Sequence, residues 1–510
     1  MFTGKINVTE FVIFVIYLAF MLGIGIYFFV KSKENGEKDY FLGGRKMGPW
    51  VSALSAGASD MSAWVLMGLP ASIYVAGISK SWIAIGLAIG YTLSWIFMAP
   101  RLRKFTITAN DSITIPQYLT NRFLSKSSAI RVICAVIFLI AYTVYAASSM
   151  KACGTLFNTV IGLDPTVAMY LAAAIILIYT FLGGFNAVCW TDFFQGMLML
   201  AALLAAPIVA VFVIKGGNAA DTSSYTLPDG YWNLFSSWKD ILSGLGWGIG
   251  YFGMPHIIVR FMSLESDKSL KKSAKIGISW NVLIVIFSVA AGCVGHLLLG
   301  NLDDSSTVFI QMSRFLFPAI ISGIILTAIL AASMSTADSQ LLASSSAFAS
   351  DFYKPIIRKN KASDKEMLWA GRIVVAAISI IAVIIASNPN SGTIMGLVEN
   401  AWGLFGAAFG AVLMLSLFWK RFNFAGALAG IISGAAVDAA WLLILNQDKL
   451  GIVEGNTVLS TLSGIYEIIP GAIVSLVVAI IVTLCTKAPS KEVEDIFDKA
   501  VALTDDATQE

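Results

Sequence analysis

Charge is scarce in this chain. Aspartate, glutamate, lysine and arginine together supply 13% of its 510 residues, where a soluble domain would carry roughly a quarter. Histidine is scarcer still, with two in the whole sequence. The five cysteines, at 134, 153, 189, 293 and 485, form no CxxC or Cys/His spacing, so they read as packing residues and not as zinc or redox ligands. Two distant histidines and scattered cysteines offer no nucleophile or metal constellation, which argues against an enzyme. No GxxxxGK[ST] phosphate loop is present, so ATP is not the energy source. No organic cofactor, nucleic acid or obligatory protein partner is expected. The net charge of +3 says little by itself, because in such a chain the placement of lysine and arginine carries the information.

What the chain has is apolar length. With 57% apolar residues and a mean hydropathy of +0.79, it reads as an all-α integral membrane protein whose solvent is the lipid bilayer. Runs of about 20 residues, enough to cross about 30 Å of hydrocarbon as helices, recur from residue 8 to residue 485. We expect about thirteen, near 8–30, 49–77, 81–100, 128–160, 166–183, 187–214, 238–262, 276–299, 306–343, 367–388, 395–418, 423–446 and 459–485. The first is longer than a signal-peptide core and is expected to be retained. Alternate loops collect the cations, from Lys31, Lys33, Lys38, Arg45 and Lys46 onward to Lys354, Arg358, Lys359, Lys361 and Lys365. The intervening loops mix a few lysines with Asp221, Asp229, Asp303 and Asp304. By the positive-inside rule the N-terminus lies outside and the C-terminus in the cytoplasm, which requires an odd number of helices. The acidic tail beyond Lys487 is expected to form a cytoplasmic helix that frays near Asp505 and Asp506, with no soluble domain after it.

Three stretches break the apolar pattern. Ser55–Pro70, SAGASDMSAWVLMGLP, puts Asp60 and several hydroxyls inside a span, and a charge near the bilayer centre needs a partner, a cavity or a bound cation. Ser243–Pro255, SGLGWGIGYFGMP, crowds five glycines before a proline. It reads either as an unwound segment or as close packing through the Gly244/Gly248 and Gly246/Gly250 pairs. The third, AASMSTADSQLLASSS at 331–346, places Ser335 and Ser339 on one helix face, with Thr336 turned about 100° away.

Pairing decides between the two readings of the glycine stretch. Interrupted spans at corresponding places in two halves point to an inverted-repeat transporter, and helices 2 and 7 are five apart. The expected division is therefore 1–48, a first repeat at 49–214, a second at 215–418, two further helices at 419–486 and a tail at 487–510. The halves share no clear residue-level similarity. Unwound backbone in the membrane frees carbonyls, which suit a hard cation, and the N-terminus of a half-helix suits a carboxylate.

The motifs LGGRKMGP (42–49), ALSAGASDMSAWVLMGLP (53–70), GISKSWIAIGL (77–87), TDFFQG (191–196), GWGIGYFG with PHI (246–257), MSTADSQLL (334–342) and YEIIPG (466–471) resemble the bacterial sodium/proline symporters of the sodium/solute symporter family. The similarity spans about residues 8–490. It implies a LeuT-like core of five plus five inverted helices, in a bacterial cytoplasmic membrane, carrying Na+ as the co-transported ion. The resemblance implies that sodium is held by Ala58, Met61, Ala332, Ser335 and Thr336, and that L-proline or a related small amino acid meets Ser62, Ala63, Tyr145, Trp247, Tyr251, Met254 and Pro255. It marks Asp60 as required for sodium dependence. Whether Asp60 touches the ion or N-caps the second half of the broken helix stays open. Asp192 reads as an ion-path residue or, preferably, an interfacial N-cap. Arg45 belongs either to a cytoplasmic gate or to ordinary topology, and His256 to structural hydrogen bonding.

Three departures mark this chain within that pattern. It has Ala63 where the family has glycine, Met254 where it has glutamine, and AWGLFGA at 401–407 where AWAGFGA is usual. The first two adjoin the expected pocket and bear on the choice of ligand. Alternatives are a sodium symporter of another small amino or imino acid, the same carrier driven by protons, and a transporter-like membrane sensor.

Overall fold

Prolines, glycines and single extended residues decide where the apolar runs of this chain are cut. The computed structural model describes residues 7–31, 37–217, 227–451, 453 and 456–504. Lys33, Asp221, Asp505 and Asp506 lie outside the described residues, and with them the expected fraying of the tail.

The first span is α1 (Val8–Lys31). The second is cut in two. α2 (Pro49–Asp60) stops because Met61 leaves helical geometry at φ −81° and ψ 76°. After a short turn at Ala63–Val65 the chain resumes as α3 (Gly68–Ala76). A π turn joins α4 (Ser81–Leu93) to α5 (Ala99–Thr108). Two long helices follow, α6 (Ala129–Ile161) and α7 (Pro165–Lys215). The latter contains Gly184 at φ 61°, a left-handed residue that divides it where two spans were expected.

The seventh span is cut like the second. α8 (Trp238–Gly246) tightens into a 3-10 turn over Trp247–Phe252, and α9 (Pro255–Met262) restarts beyond an extended Met254 at ψ 105°. Proline explains the restart: it disfavours helix at the residue before it, while its own fixed φ suits a first helical position. The glycines serve a second purpose. A Cβ on Gly86 would lie 2.0 Å from the Gly244 carbonyl oxygen, and one on Gly90 2.2 Å from that of Gly248. Backbones of α4 and the cut span therefore touch, so this stretch is both broken and closely packed.

The chain continues through α10 (Asp267–Leu299) and α11 (Ala319–Ser346), which extends as a π-helical stretch to Ile357. Next come α12 (Asp364–Ser387), α13 (Ile394–Phe405), a π turn and α14 (Ala411–Phe418). Last are α15 (Phe424–Ala440), α16 (Ile468–Cys485) and α17 (Lys491–Ala502). The expected single span at 306–343 is instead a separate helix, Val308–Leu316, and then α11, because Phe317 is extended and Pro318 follows it.

Among the described residues, ten helices are long and apolar enough to cross a membrane. The expectation was about thirteen. The difference lies in the two cut spans, whose pieces are individually short, and in Pro165–Ile178, counted with the shorter apolar helices. α17 lies across the Arg101 end of the bundle: Phe497 meets Phe105 at 5.2 Å between ring centroids, and Arg122 donates to the Val493 carbonyl at 3.0 Å. Cys134, Cys153 and Cys189 are buried, while Cys485 is exposed.

Candidate functional site

The cut at Met61 faces α11. Ser335 donates to the Ala58 carbonyl at 2.8 Å and to the Ala332 carbonyl at 3.2 Å, and Thr336 reaches the Ala58 carbonyl at 3.5 Å. The Ser335 and Thr336 hydroxyls are thus drawn to the Ala58 carbonyl across two helices, with the Ala332 carbonyl beside Ser335. All five residues expected to hold the cation, Met61 included, are completely buried. A hydroxyl that donates to a carbonyl can turn its proton aside and offer a lone pair to a hard cation.

Asp60 is the hub of the neighbouring polar cluster. Its carboxylate Oδ2 accepts from the Tyr251 hydroxyl at 2.5 Å, while Oδ1 is buried with no hydrogen-bond partner. Its carbonyl accepts from the Tyr145 hydroxyl and the Trp64 indole, each at 3.2 Å, and from the Ser62 amide at 3.0 Å. Capping is not its task. The residue whose side chain caps the turn after the break is Ser62, which accepts from the Trp64 amide at 3.4 Å.

Of the residues expected at the organic ligand, Ser62, Tyr145 and Tyr251 meet at Asp60. Trp247 joins them through Trp64, 6.3 Å away between ring centroids, and is backed by Tyr466 at 5.1 Å and Trp402 at 6.1 Å. Trp402 fixes the second break by donating to the Trp247 carbonyl at 2.8 Å. Ala63 and Met254 are buried beside the two breaks. Pro255 stands apart. With Phe41, Ile115, Arg260 and Ser339 it lines a narrow cavity of about 40 Å³ that runs toward Met262.

Asp192 overturns the capping expectation. It sits well inside α7 and is completely buried. Its Oδ2 accepts from Ser55 at 2.6 Å and from the Arg260 guanidinium at 3.1 Å. Arg260 also donates to Ser55, to the His256 carbonyl and to Ser339, the last at 2.6 Å. One arginine thereby ties α2, α7, α9 and α11. His256 has the structural bond expected of it, its ring nitrogen lying 3.2 Å from the Tyr142 hydroxyl.

Arg45 is held where the chain enters α2, near the end of α9. It donates to Asp111 at 2.8 Å, to the Met262 carbonyl at 2.6 Å and to the Ser112 carbonyl at 2.9 Å. Burial lowers its pKa from the ordinary guanidinium range, with Asp111 opposing that shift. Beside it Met47 pairs with Leu264 as an isolated bridge, so the chain entering α2 and the chain leaving α9 are fastened together. At the opposite end Lys80 pairs with Asp240 at 2.7 Å, next to an open vestibule of about 500 Å³ lined by Gly68, Ser72, Lys151, Asp304 and Met395.

Several of these residues escaped the sequence reading. Arg260, near the end of the cut seventh span, drew no reading because nothing in its own helix marks its partners on other helices. Asn281, 3.4 Å from the Tyr251 hydroxyl, and Trp64 carried no spacing signal. Gly86 and Gly90 did carry one, since four-residue spacing in an apolar helix marks close packing.

Residues 40–434 match the Sodium:solute symporter family. Over nearly its whole length the chain is similar to the high-affinity proline transporter PutP of Bacillus subtilis (strain 168), at 43% identity, 94% of this chain and 98% of that one. It is 44% identical to the osmoregulated proline transporter OpuE of the same strain, over 94% and 96%. It is 41% identical to a sodium/proline symporter of Staphylococcus aureus (strain JH9), over 97% and 96%. Among solved structures, an outward-open, substrate-bound Na+-coupled sialic acid symporter superposes with a TM-score of 0.74 at 20% identity, covering 95% of this chain and 99% of that one. A nucleobase-cation-symport-1 family transporter in a closed conformation gives 0.54 at 15%, over 92% and 99%. At such identities the likeness concerns the fold, which is the LeuT-like one expected.

Proposed function

Because the chain belongs to the Sodium:solute symporter family, we propose that it imports L-proline together with sodium across a bacterial cytoplasmic membrane by alternating access. The observation that carries this is the meeting of α2 and α11 at Ala58, Ala332, Ser335 and Thr336, with the unpartnered Asp60 Oδ1 on the residue two along the chain from Ala58. Sodium takes carbonyl oxygens of Ala58, Met61 and Ala332 and the hydroxyls of Ser335 and Thr336. Asp60 supplies negative charge close by. Proline lies against Ser62, Tyr145, Trp247 and Tyr251, its secondary ammonium on freed carbonyls or an aromatic face and its ring on apolar walls, while Pro255 starts the helix beyond the second break.

The repeats run over 49–214 and 215–418, with the N-terminus outside and the C-terminus in the cytoplasm. In that orientation Arg45 latches the cytoplasmic end and the vestibule at Lys80 opens outward. Energetics permit one sodium per proline. About 2.3 kcal/mol per charge at 100 mV, plus about 1.4 kcal/mol for a tenfold sodium gradient, supports roughly 500-fold accumulation.

A second reading, another small amino or imino acid, is favoured by the bulk of Ala63 and Met254 beside the breaks. Uptake of labelled proline into proteoliposomes under sodium, potassium or proton gradients tests the main reading, and a competition panel of unlabelled amino acids tests the second. Absence of sodium-stimulated uptake of any amino acid would sink both.

A further inference from the structure

Outside the breaks, a second carboxylate site is assembled where α13, α15 and the start of α16 meet. Asp438 of α15 and Glu467 are each 2% exposed. Both point into the space left by Gly403 of α13. A Cβ there would lie 3.0 Å from Asp438 Oδ1, 3.3 Å from Glu467 Cγ and 3.3 Å from the Tyr466 ring. Gly403 is one of the two positions, with Leu404, at which AWGLFGA departs from the family pattern, and an alanine at 403 would intrude on the Asp438 oxygen.

Asn446 donates to Glu467 Oε2 at 2.9 Å and spends its own oxygen on the Gly464 amide at 3.0 Å. Asp438 Oδ1 and Glu467 Oε1 are buried with no hydrogen-bond partner, and among the described residues neither carboxylate has an ion-pair partner. The cations nearby are committed elsewhere: Lys80 to Asp240 at 2.7 Å, and Lys239 of α8 to the Ser463 carbonyl at 2.6 Å. The other titratable groups facing this spot are Glu399 of α13, Tyr145 of α6 and Tyr466. None of these neutralises a carboxylate pair, and two carboxylates together in apolar surroundings do not both ionise.

We propose that Asp438 and Glu467 together bind one proton, and that this proton keeps the aromatic wall behind the proposed proline site packed. Tyr466 transmits the effect. It adjoins Glu467, lies 5.1 Å from Trp247 between ring centroids, and donates to the Glu399 carbonyl at 2.8 Å. Loss of the proton places like charges against that ring and loosens it from Trp247. The regulatory half of the proposal rests on the transport reading above; the proton site does not.

Infrared difference spectra of the purified full-length protein between about pH 6 and pH 9 read the site without transport. A protonated-carboxyl band is expected, lost in Asp438→Asn and shifted in Gly403→Ala. In proteoliposomes at constant sodium, the KM for proline is expected to rise at least about threefold over the same interval, and to stay flat in Asp438→Asn. Glu467→Gln carries the same two tests should Asp438→Asn fail to reach the membrane. A band unchanged in the folded variants overturns the proposal, as does one that follows sodium at fixed pH. If the KM of Asp438→Asn keeps the wild-type pH profile, the regulatory role is overturned. Failure of the wild type to take up proline would count against the transport reading, while the infrared band would still decide the proton site.

Discussion

Asp60 is the residue on which the sodium reading turns. Replacing it by asparagine keeps size and the Tyr251 contact while removing the charge, so Asp60→Asn is expected to fold and to raise the half-saturating sodium concentration. A hydrogen bond or ligand contact to a charged group is worth about 1.5–3 kcal/mol, which corresponds to a shift of roughly tenfold or more. Sodium titration of uptake measures it, and an unchanged half-saturation would remove Asp60 from the coupling site. Asp192 behaves differently, because its partner is a buried arginine. Asp192→Asn leaves Arg260 uncompensated and is expected to destabilise the protein by about 3–5 kcal/mol. Thermal unfolding in detergent would register this, and Asp192→Asn combined with Arg260→Met is expected to recover part of the loss. A double variant no more stable than the single one would contradict a stability role for the pair.

At the level of elements, the interface between α4 and the cut seventh span depends on backbone contact. No hydrophobic force draws helices together in lipid, so close packing has to supply the attraction. Gly90→Val puts a branched side chain where even a Cβ meets the Gly248 backbone at 2.2–2.6 Å. Overpacking of this kind costs about 1–3 kcal/mol, and the strain falls on the turn that carries Trp247 and Tyr251. Reduced yield of folded protein and a lower unfolding temperature are expected, where valine at the neighbouring exposed position, Ile89→Val, should do little. Equal behaviour of the two variants would show that the seam is loose.

For the molecule as a whole, the proposed alternating access makes Arg45, bonded to Asp111 and to the Met262 and Ser112 carbonyls, the candidate latch of the cytoplasmic end. Arg45→Lys cannot hold Asp111 and two carbonyls at once, since a lysine is a point charge without the guanidinium fork. The variant is expected to open that end more often. Cys189 reports it: completely buried among Tyr40, Phe41, Met47, Val51 and Phe185, it should react with a maleimide several-fold faster in Arg45→Lys. A labelling rate equal to that of the wild type would assign Arg45 to static support.

Much of this architecture could be read from the chain itself. Apolar run length revealed a membrane protein, because backbone in lipid must be satisfied within helices. The positions of Asp60, Pro255 and the glycine stretch marked both breaks, since each residue type violates helix or lipid preference locally. Ser335 and Thr336 were found because their motif carries the family resemblance. Partnership was another matter. Whether Asp192 caps a helix or pairs with Arg260, 68 residues away, depends on how α7 and α9 cross, and periodicity within one helix is silent about its neighbour. For the same reason Ser62 and not Asp60 proved to be the cap, and Gly403 gained meaning only once Asp438 and Glu467 arrived from two other helices. Local physical chemistry thus marked the solvent, most of the spans and the breaks in the second and seventh, though not the one at Phe317 and Pro318; tertiary structure alone decided which buried charge meets which partner, because contacts between distant helices are set by packing.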